Sequence, residues 1–173
     1  VNGGLEAYIV KTQDNSDSAV IGNSSNHTGL SSLSRIDEVS IVLAPGLTSQ
    51  TVTSALIAHS ELMGDRIAII DAPENGNSVS FLTNPTTGYV NTLGSSAGHA
   101  AIYSPWYLAP VVLQNGNTQQ MYIPPSGGVA GVYARVDRER GVYKSPANQP
   151  LLDALNLKVG YTSEERSQLN TYN

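Results

Sequence analysis

Two nearly unbroken apolar runs with a helical pattern between them limit the fold more than any other feature of this chain. Residues 39–44 (VSIVLA) and residues 67–71 (IAIID) are apolar at almost every position. A strand with one face in water would alternate instead. Apolar residues at successive positions need cover on both faces, as in a parallel sheet packed between helices. Pro45-Gly46 ends the first run. Beyond it Val52, Ala55, Leu56, Leu62 and Met63 recur at helical spacing, with Thr48 or Ser49 placed to cap the helix and Gly64 to stop it. His59 lies near that apolar face and reads as a histidine of the core or its edge. The three pieces form a β–α–β unit, expected to cross over right-handed. A third run, residues 100–103, supplies another strand. The fold class is therefore α/β: a mainly parallel central sheet from residues 39–44, 67–71 and 100–103, flanked by helices.

The flanking sequence is less regular. Residues 5–11 (LEAYIVK) read as a short strand after Gly3-Gly4. Residues 12–34 are crowded with Ser, Asn, Asp and Gly and read as a long surface loop. Asn23-Ser24-Ser25 and Asn26-His27-Thr28 fit the glycosylation pattern, but no secretory signal accompanies them. Asp14-Asn15-Ser16-Asp17 lacks the spaced ligands, glycine and distal glutamate of a calcium loop. Turn signals fill residues 72–98, with a short helix expected over residues 86–93. Pro105-Trp106 leads to a strand over residues 108–113. Asn115-Gly116 turns the chain, and residues 119–123 return as the partner of a peripheral hairpin. Residues 150–155 suggest a helical turn and residues 158–161 an extended piece. Thr162-Ser163-Glu164-Glu165 opens a last helix with acidic residues in its first turn.

Residues 124–148 (PPSGGVAGVYARVDRERGVYKSPAN) stand apart. Pro124 and Pro125 close an extended segment, and Ser126 is placed as a helix N-cap. Val129, Val132, Tyr133 and Val136 then fall on one helical face. Gly127, Gly128, Ala130, Gly131 and Ala134 leave the other faces nearly bare, so the helix can lie close against a sheet or another helix. Gly131 costs roughly 1 kcal/mol against Ala in a helix interior, which close packing must offset. The charged residues Arg135, Asp137, Arg138, Glu139, Arg140 and Lys144 follow within ten positions, in a chain only 13% charged. From the residues alone this is either a solvated helix end with weak ion pairs or a charged contact surface for another subunit.

Composition removes several function classes. The 173 residues suit one domain or a little more. Apolar residues make up 40% of the chain, enough for an aliphatic core beneath a neutral surface of Ser, Thr and Asn. The net charge of −5 gives no basic face for nucleic acid. There is no cysteine, hence no disulfide and no thiolate site. No apolar run approaches the 18 residues of a membrane span. His27, His59 and His99 lie far apart, without zinc-ligand spacing. Neither phosphate-binding glycine motif is present. No cofactor and no metal are expected.

The run VAGVYARVDRERGVYKSPAN resembles the signature of contractile-tail sheath proteins, the outer sleeve of phage tails and related injection machines. There an Ala-Gly-x-x-Ala-Arg-x-Asp helix precedes Arg-Gly-Val-x-Lys-x-Pro-Ala-Asn. Upstream, AIYSPWYLAPVV (residues 101–112) resembles the family's Tyr-x-Pro-Trp strand, RIAIIDAP (residues 66–73) its central strand, and VSIVLAPG (residues 39–46) the strand before that. The resemblance runs in family order over residues 39–148. It implies a subtilisin-like sheath core without catalytic function, and a mechanical role. Copies would stack in rings around a tail tube and slide from an extended to a contracted sleeve. The implied partners are other copies of the sheath subunit, the tail tube protein, the baseplate and the tail terminator. The implied place is the virion tail, with assembly in the host cytoplasm. Sheath proteins are generally longer and this chain opens on Val1, so it reads as one domain of a longer protein. Lacking the arms that link family subunits, it is expected to be monomeric alone. The interface candidates are Arg135, Asp137, Arg138, Arg140 and Lys144. Trp106 and Tyr133 are expected as structural anchors.

One enzymatic alternative follows from the order and location of three residues. Asp71, His99 and Ser126 stand in the chain order of a subtilisin-like serine hydrolase. The local contexts oppose it, because Ser126 sits in Pro-Pro-Ser-Gly-Gly and His99 precedes a strand. A small-molecule binding module with a pocket at the carboxyl ends of the strands is a further alternative.

Overall fold

The computed structural model describes residues 2–4, 6–95 and 98–171. The first described segment departs from expectation. Residues 6–11 form no strand, and Leu5, where that strand was to begin, lies outside the described residues. Strand-forming side chains need a partner strand, and none of the described strands pairs with this segment. Residues 12–34 are not one long loop either. Ser16 caps α1 (Asp17–Ile21), its Oγ accepting from Ala19 N–H at 3.3 Å. A 3-10 helix follows over Gly29–Arg35. Val20, Ile21, Leu30 and Leu33 turn inward from these two pieces onto the core, which is what holds so polar a stretch in place.

The central sheet has the expected composition. Strands β1 (Ile41–Leu43), β2 (Ile67–Asp71) and β3 (Ala100–Tyr103) pair in the order β1-β2-β3, all parallel. Between the first two lies α2 (Gln50–Met63). Ser49 Oγ accepts from Val52 N–H at 3.3 Å, and Gly64 closes the helix at φ 73°, a left-handed conformation that disfavours a side chain. Ser49 Oγ also donates to Asp17 Oδ2 at 2.8 Å, tying α1 to the cap. Ser49→Ala is expected to cost about 1 kcal/mol of unfolding free energy. A chemical denaturation curve checks this, and an unchanged midpoint would contradict it.

The middle strand is covered on both sides. Ala68 and Ile70 join Val42, Val52, Leu56, Ile57 and Leu93 in the main core cluster. Alternate strand positions face opposite ways, so Ile69 and Asp71 point to the other face. Ile69 is buried there, and Asp71 meets the helix that crosses behind the sheet. By contrast β1 is a three-residue edge strand. Val42 is buried, but Ile41 and Leu43 are only half-buried, so the double cover expected there is incomplete.

Beyond β2 come two short helices, α3 (Val79–Thr83), capped by Ser78, and α4 (Tyr89–Leu93). Only the second was anticipated. Phe81 and Tyr89 stack between them with ring centroids 6.0 Å apart. After β3, β4 (Tyr107–Val112) and β5 (Thr118–Ile123) form the expected antiparallel hairpin around Asn115-Gly116. Then α5 (Ser126–Arg140) packs on β1 and β2. It lies as close as its small residues permit: a side-chain carbon at Gly128 would come within 2.6 Å of Tyr107 Oη. The expected helical turn at residues 150–155 is absent, and the extended piece comes earlier than residues 158–161. Strand β6 (Asn156–Leu157) adds to the outer side of β4, completing a sheet in the order β5-β4-β6. Finally α6 (Ser163–Thr171) starts with a capping box. Glu165 N–H donates to Thr162 Oγ1 at 3.2 Å, and Thr162 N–H donates to Glu165 Oε2 at 2.8 Å.

Candidate functional site

The carboxyl end of β2 is where an open parallel sheet would hold a ligand, and here it is filled by the protein itself. Asp71 is 3% exposed. Its Oδ1 accepts from Ser126 N–H at 2.7 Å. Its Oδ2 accepts from Ser126 Oγ–H at 2.7 Å and from Gly46 N–H at 3.0 Å. The carboxylate thus joins the first turn of α5 to the Pro45-Gly46 turn after β1. Tyr89 Oη donates to Asp71 O at 3.3 Å and Trp106 Nε1 donates to Ala72 O at 2.9 Å, roofing the same spot. Burial pushes the Asp71 carboxyl up from its ordinary pKa, against the three donated hydrogen bonds that favour its charge.

Ser126 therefore does not have the role expected of it. It is the first residue of α5, not its cap; Pro125 holds the cap position. Its side chain is fully buried and spent on Asp71. The capping oxygen comes instead from Asp71, 55 positions away, which also places a negative charge at a helix N-terminus.

His99 is at the other end of the strand. Its Nδ1 lies 3.2 Å from Arg66 O, just before β2 begins. Asp71 lies five positions beyond Arg66 along the strand, about 16 Å at the rise of a β-strand. Asp71 and Ser126 meet, His99 does not join them, and no imidazole is in reach to accept the serine proton. That opposite end has its own polar cluster. The Arg66 side chain is 0% exposed. It pairs with Asp65 Oδ1 at 2.7 Å, donates to Leu33 O at 3.0 Å, and lies 3.4 Å from His59 Nε2. His59 is buried as the helix pattern indicated. Burial, aided by Arg66, holds its pKa below the ordinary value. Among the described residues, no group of three or more His, Asp or Glu side chains is arranged to hold a metal.

The charged end of α5 is partly self-engaged. Arg135 Nη2 donates to Pro150 O at 2.8 Å and Arg138 Nη1 donates to Gly3 O at 3.1 Å. Arg138 also lies 3.7 Å from Glu139 in an exposed ion pair of small value. Lys144 Nζ donates to Ser145 O at 3.2 Å. Asp137 and Arg140 are exposed, with no side-chain partner among the described residues. The helix's apolar face does anchor the fold: Val129, Val132 and Val136 are buried, and Tyr133 Oη meets Tyr103 Oη at 2.9 Å. Trp106 anchors the roof of the Asp71 clamp.

The family model for the phage tail sheath protein central domain matches residues 8–172. The chain belongs to this sheath family. Solved structures that resemble it include the following three. A chain from the six-fold symmetrised baseplate of the anti-feeding prophage is 26% identical with a TM-score of 0.60, over 92% of this chain. A chain from the contracted sheath complex of the PVC extracellular contractile injection system is 28% identical with a TM-score of 0.61, over 83%. The contracted helical sheath of the anti-feeding prophage gives 27% and 0.56, over 80%. This domain spans 34–37% of the length of those chains. A search of curated proteins gave no match. The mixed architecture, a parallel three-stranded sheet with an antiparallel one and flanking helices, is that of sheath structures.

Two elements of the site were not singled out from the sequence. Gly46 looked only like a strand end, yet its N–H is part of the Asp71 clamp. Arg66 could have been suspected, since a charge directly before a buried strand in so charge-poor a chain must find partners inside.

Proposed function

We propose that this chain is the central domain of a contractile sheath subunit, with a structural role and no catalytic one. Copies stack around a tail tube and rearrange from an extended to a contracted sleeve, between a baseplate and a tail terminator. The domain sits in the tail of a virion or related injection machine, having been assembled in the host cytoplasm. The observation that carries this reading is family membership over residues 8–172, together with the likeness to contracted sheaths. The buried Asp71–Ser126 pair supports the structural side of it. A nucleophilic serine must be free to reach a substrate and must face a base; Ser126 does neither. The core is read as a subtilisin-like scaffold that keeps the chain order of the acid and the serine and uses them as a clamp. In isolation the domain is monomeric; sedimentation checks this, and rings or tubes would contradict it.

Arg135, Asp137, Arg138, Arg140 and Lys144 form the contact surface toward neighbouring copies. Reversing Arg138 and Arg140 together to Glu in the assembling protein is expected to abolish sleeves or block contraction while leaving the fold intact. Electron microscopy reads the sleeves and circular dichroism the fold. Normal sleeves that contract on triggering would remove this surface from consideration.

A further inference from the structure

Immediately after α5 the chain makes a tight turn, closed by Lys144 N–H donating to Gly141 O at 3.0 Å. Its tip presents Val142 and Tyr143, 85% and 89% exposed, between the basic side chains of Arg140 and Lys144. An apolar knob so fully in water, inside a segment with four basic and two acidic residues on a chain of net charge −5, calls for a partner that is apolar with an acidic rim. The same molecule carries such a surface. A groove of about 950 Å³ runs along the open edge of β1. Tyr8, Ile9, Ile41 and Leu43 are among its lining residues, as are the exposed Glu6 and Glu38. Ile9 is 90% exposed. Glu38, and to a lesser degree Glu6, lie close enough to Tyr8 to raise its phenol pKa.

We propose that the Val142–Tyr143 turn of one copy docks in the β1 groove of the next, with Arg140 and Lys144 facing Glu38 and Glu6. Knob and groove are different patches, so every copy offers both and the contact is head-to-tail. Such a contact propagates into a ring or a helix instead of stopping at a dimer. The proposal rests on the sheath reading and names the surfaces that join neighbouring copies.

The chain has no cysteine, so introduced cysteines report one contact cleanly. Copies of the assembling protein carrying Tyr143→Cys are co-assembled with copies carrying Ile9→Cys and mildly oxidised. A disulfide forms only if the two backbones come within about 7 Å. The expected product is a cross-linked pair, and a copy bearing both substitutions gives a ladder on a non-reducing gel. Lys144→Glu is expected to lower the yield about fivefold or more through like-charge contact, with recovery when the partner copy carries Glu38→Lys. Sleeves that assemble with no more cross-linking than a Tyr143→Cys and Val112→Cys pairing would overturn the docking and leave the sheath reading standing. If the unaltered protein forms no polymer at all, the sheath reading fails, and the docking with it.

Discussion

Asp71→Ala is expected to remove at least about 3 kcal/mol of stability, one of the largest losses available from a single polar side chain in this domain. The substitution leaves three donors unmet: Ser126 N–H and Ser126 Oγ–H, both buried, and the half-buried Gly46 N–H. Each buried donor left without a partner costs about 1–3 kcal/mol. A typical domain has only 5–15 kcal/mol in all. Asp71→Asn should be milder, because it keeps the volume and part of the bonding, but its amide must face at least one N–H donor. Urea denaturation of the three proteins measures the order wild type, Asn, Ala. The outcome also separates clamp from catalyst. Catalytic groups are often held at a cost, so that their removal is neutral or stabilising. If Asp71→Ala unfolds at the same urea concentration as wild type, the clamp is wrong and the hydrolase reading regains ground.

The second large effect is at the opposite end of β2. Arg66→Ala is expected to cost about 2–3 kcal/mol, chiefly because the Leu33 carbonyl loses a charged donor, whereas Asp65, whose side chain is 48% exposed, returns to water at little cost. The guanidinium reaches Asp65, the Leu33 carbonyl and His59 from a fully enclosed position. It therefore pins the 3-10 helix to the start of the central strand. His59 adds a pH dependence whose sign can be worked out. Its folded pKa is depressed. As pH falls below about 6.5, the ordinary histidine value, the unfolded chain takes up a proton before the folded one does. Stability is thus fully present above that value and is lost as pH falls toward the depressed pKa. Denaturation midpoints at pH 7.5 and 5.5 should converge in His59→Gln relative to wild type. An equal drop in both proteins would place the acid sensitivity elsewhere.

How far the sequence reveals this molecule depends on whether the needed partner is local. Helix α2 was legible from end to end because its cap, its period and its stop all lie within one stretch, from Ser49 to Gly64. Strands β2 and β3 were legible because successive apolar residues admit few other uses. Residues 6–11 misled for the converse reason: their side chains favour a strand, but strand formation depends on a neighbour that propensity cannot name. In α1 and the 3-10 helix, only Val20, Ile21, Leu30 and Leu33 turn inward, and their spacing is too sparse to register as a period. Ser126 shows the limit most clearly. Nothing near it in the chain signals that Asp71 will take over the capping role. The sheath signature at residues 129–148 was readable as a resemblance, whereas the groove that the Val142–Tyr143 turn would fit exists only once β1 is an edge.

On the proposed function this domain works by packing against copies of itself, with its strand-end acid and serine locked into the fold. Electron cryo-microscopy of the polymer formed by the protein that carries it tests this most directly. The expected map shows a sleeve in which the end of α5, residues 135–144, is buried between adjacent copies and the Asp71–Ser126 clamp stays closed. A sleeve with that segment facing solvent, or a protein that forms no sleeve and opens the clamp to a cleft, would contradict it.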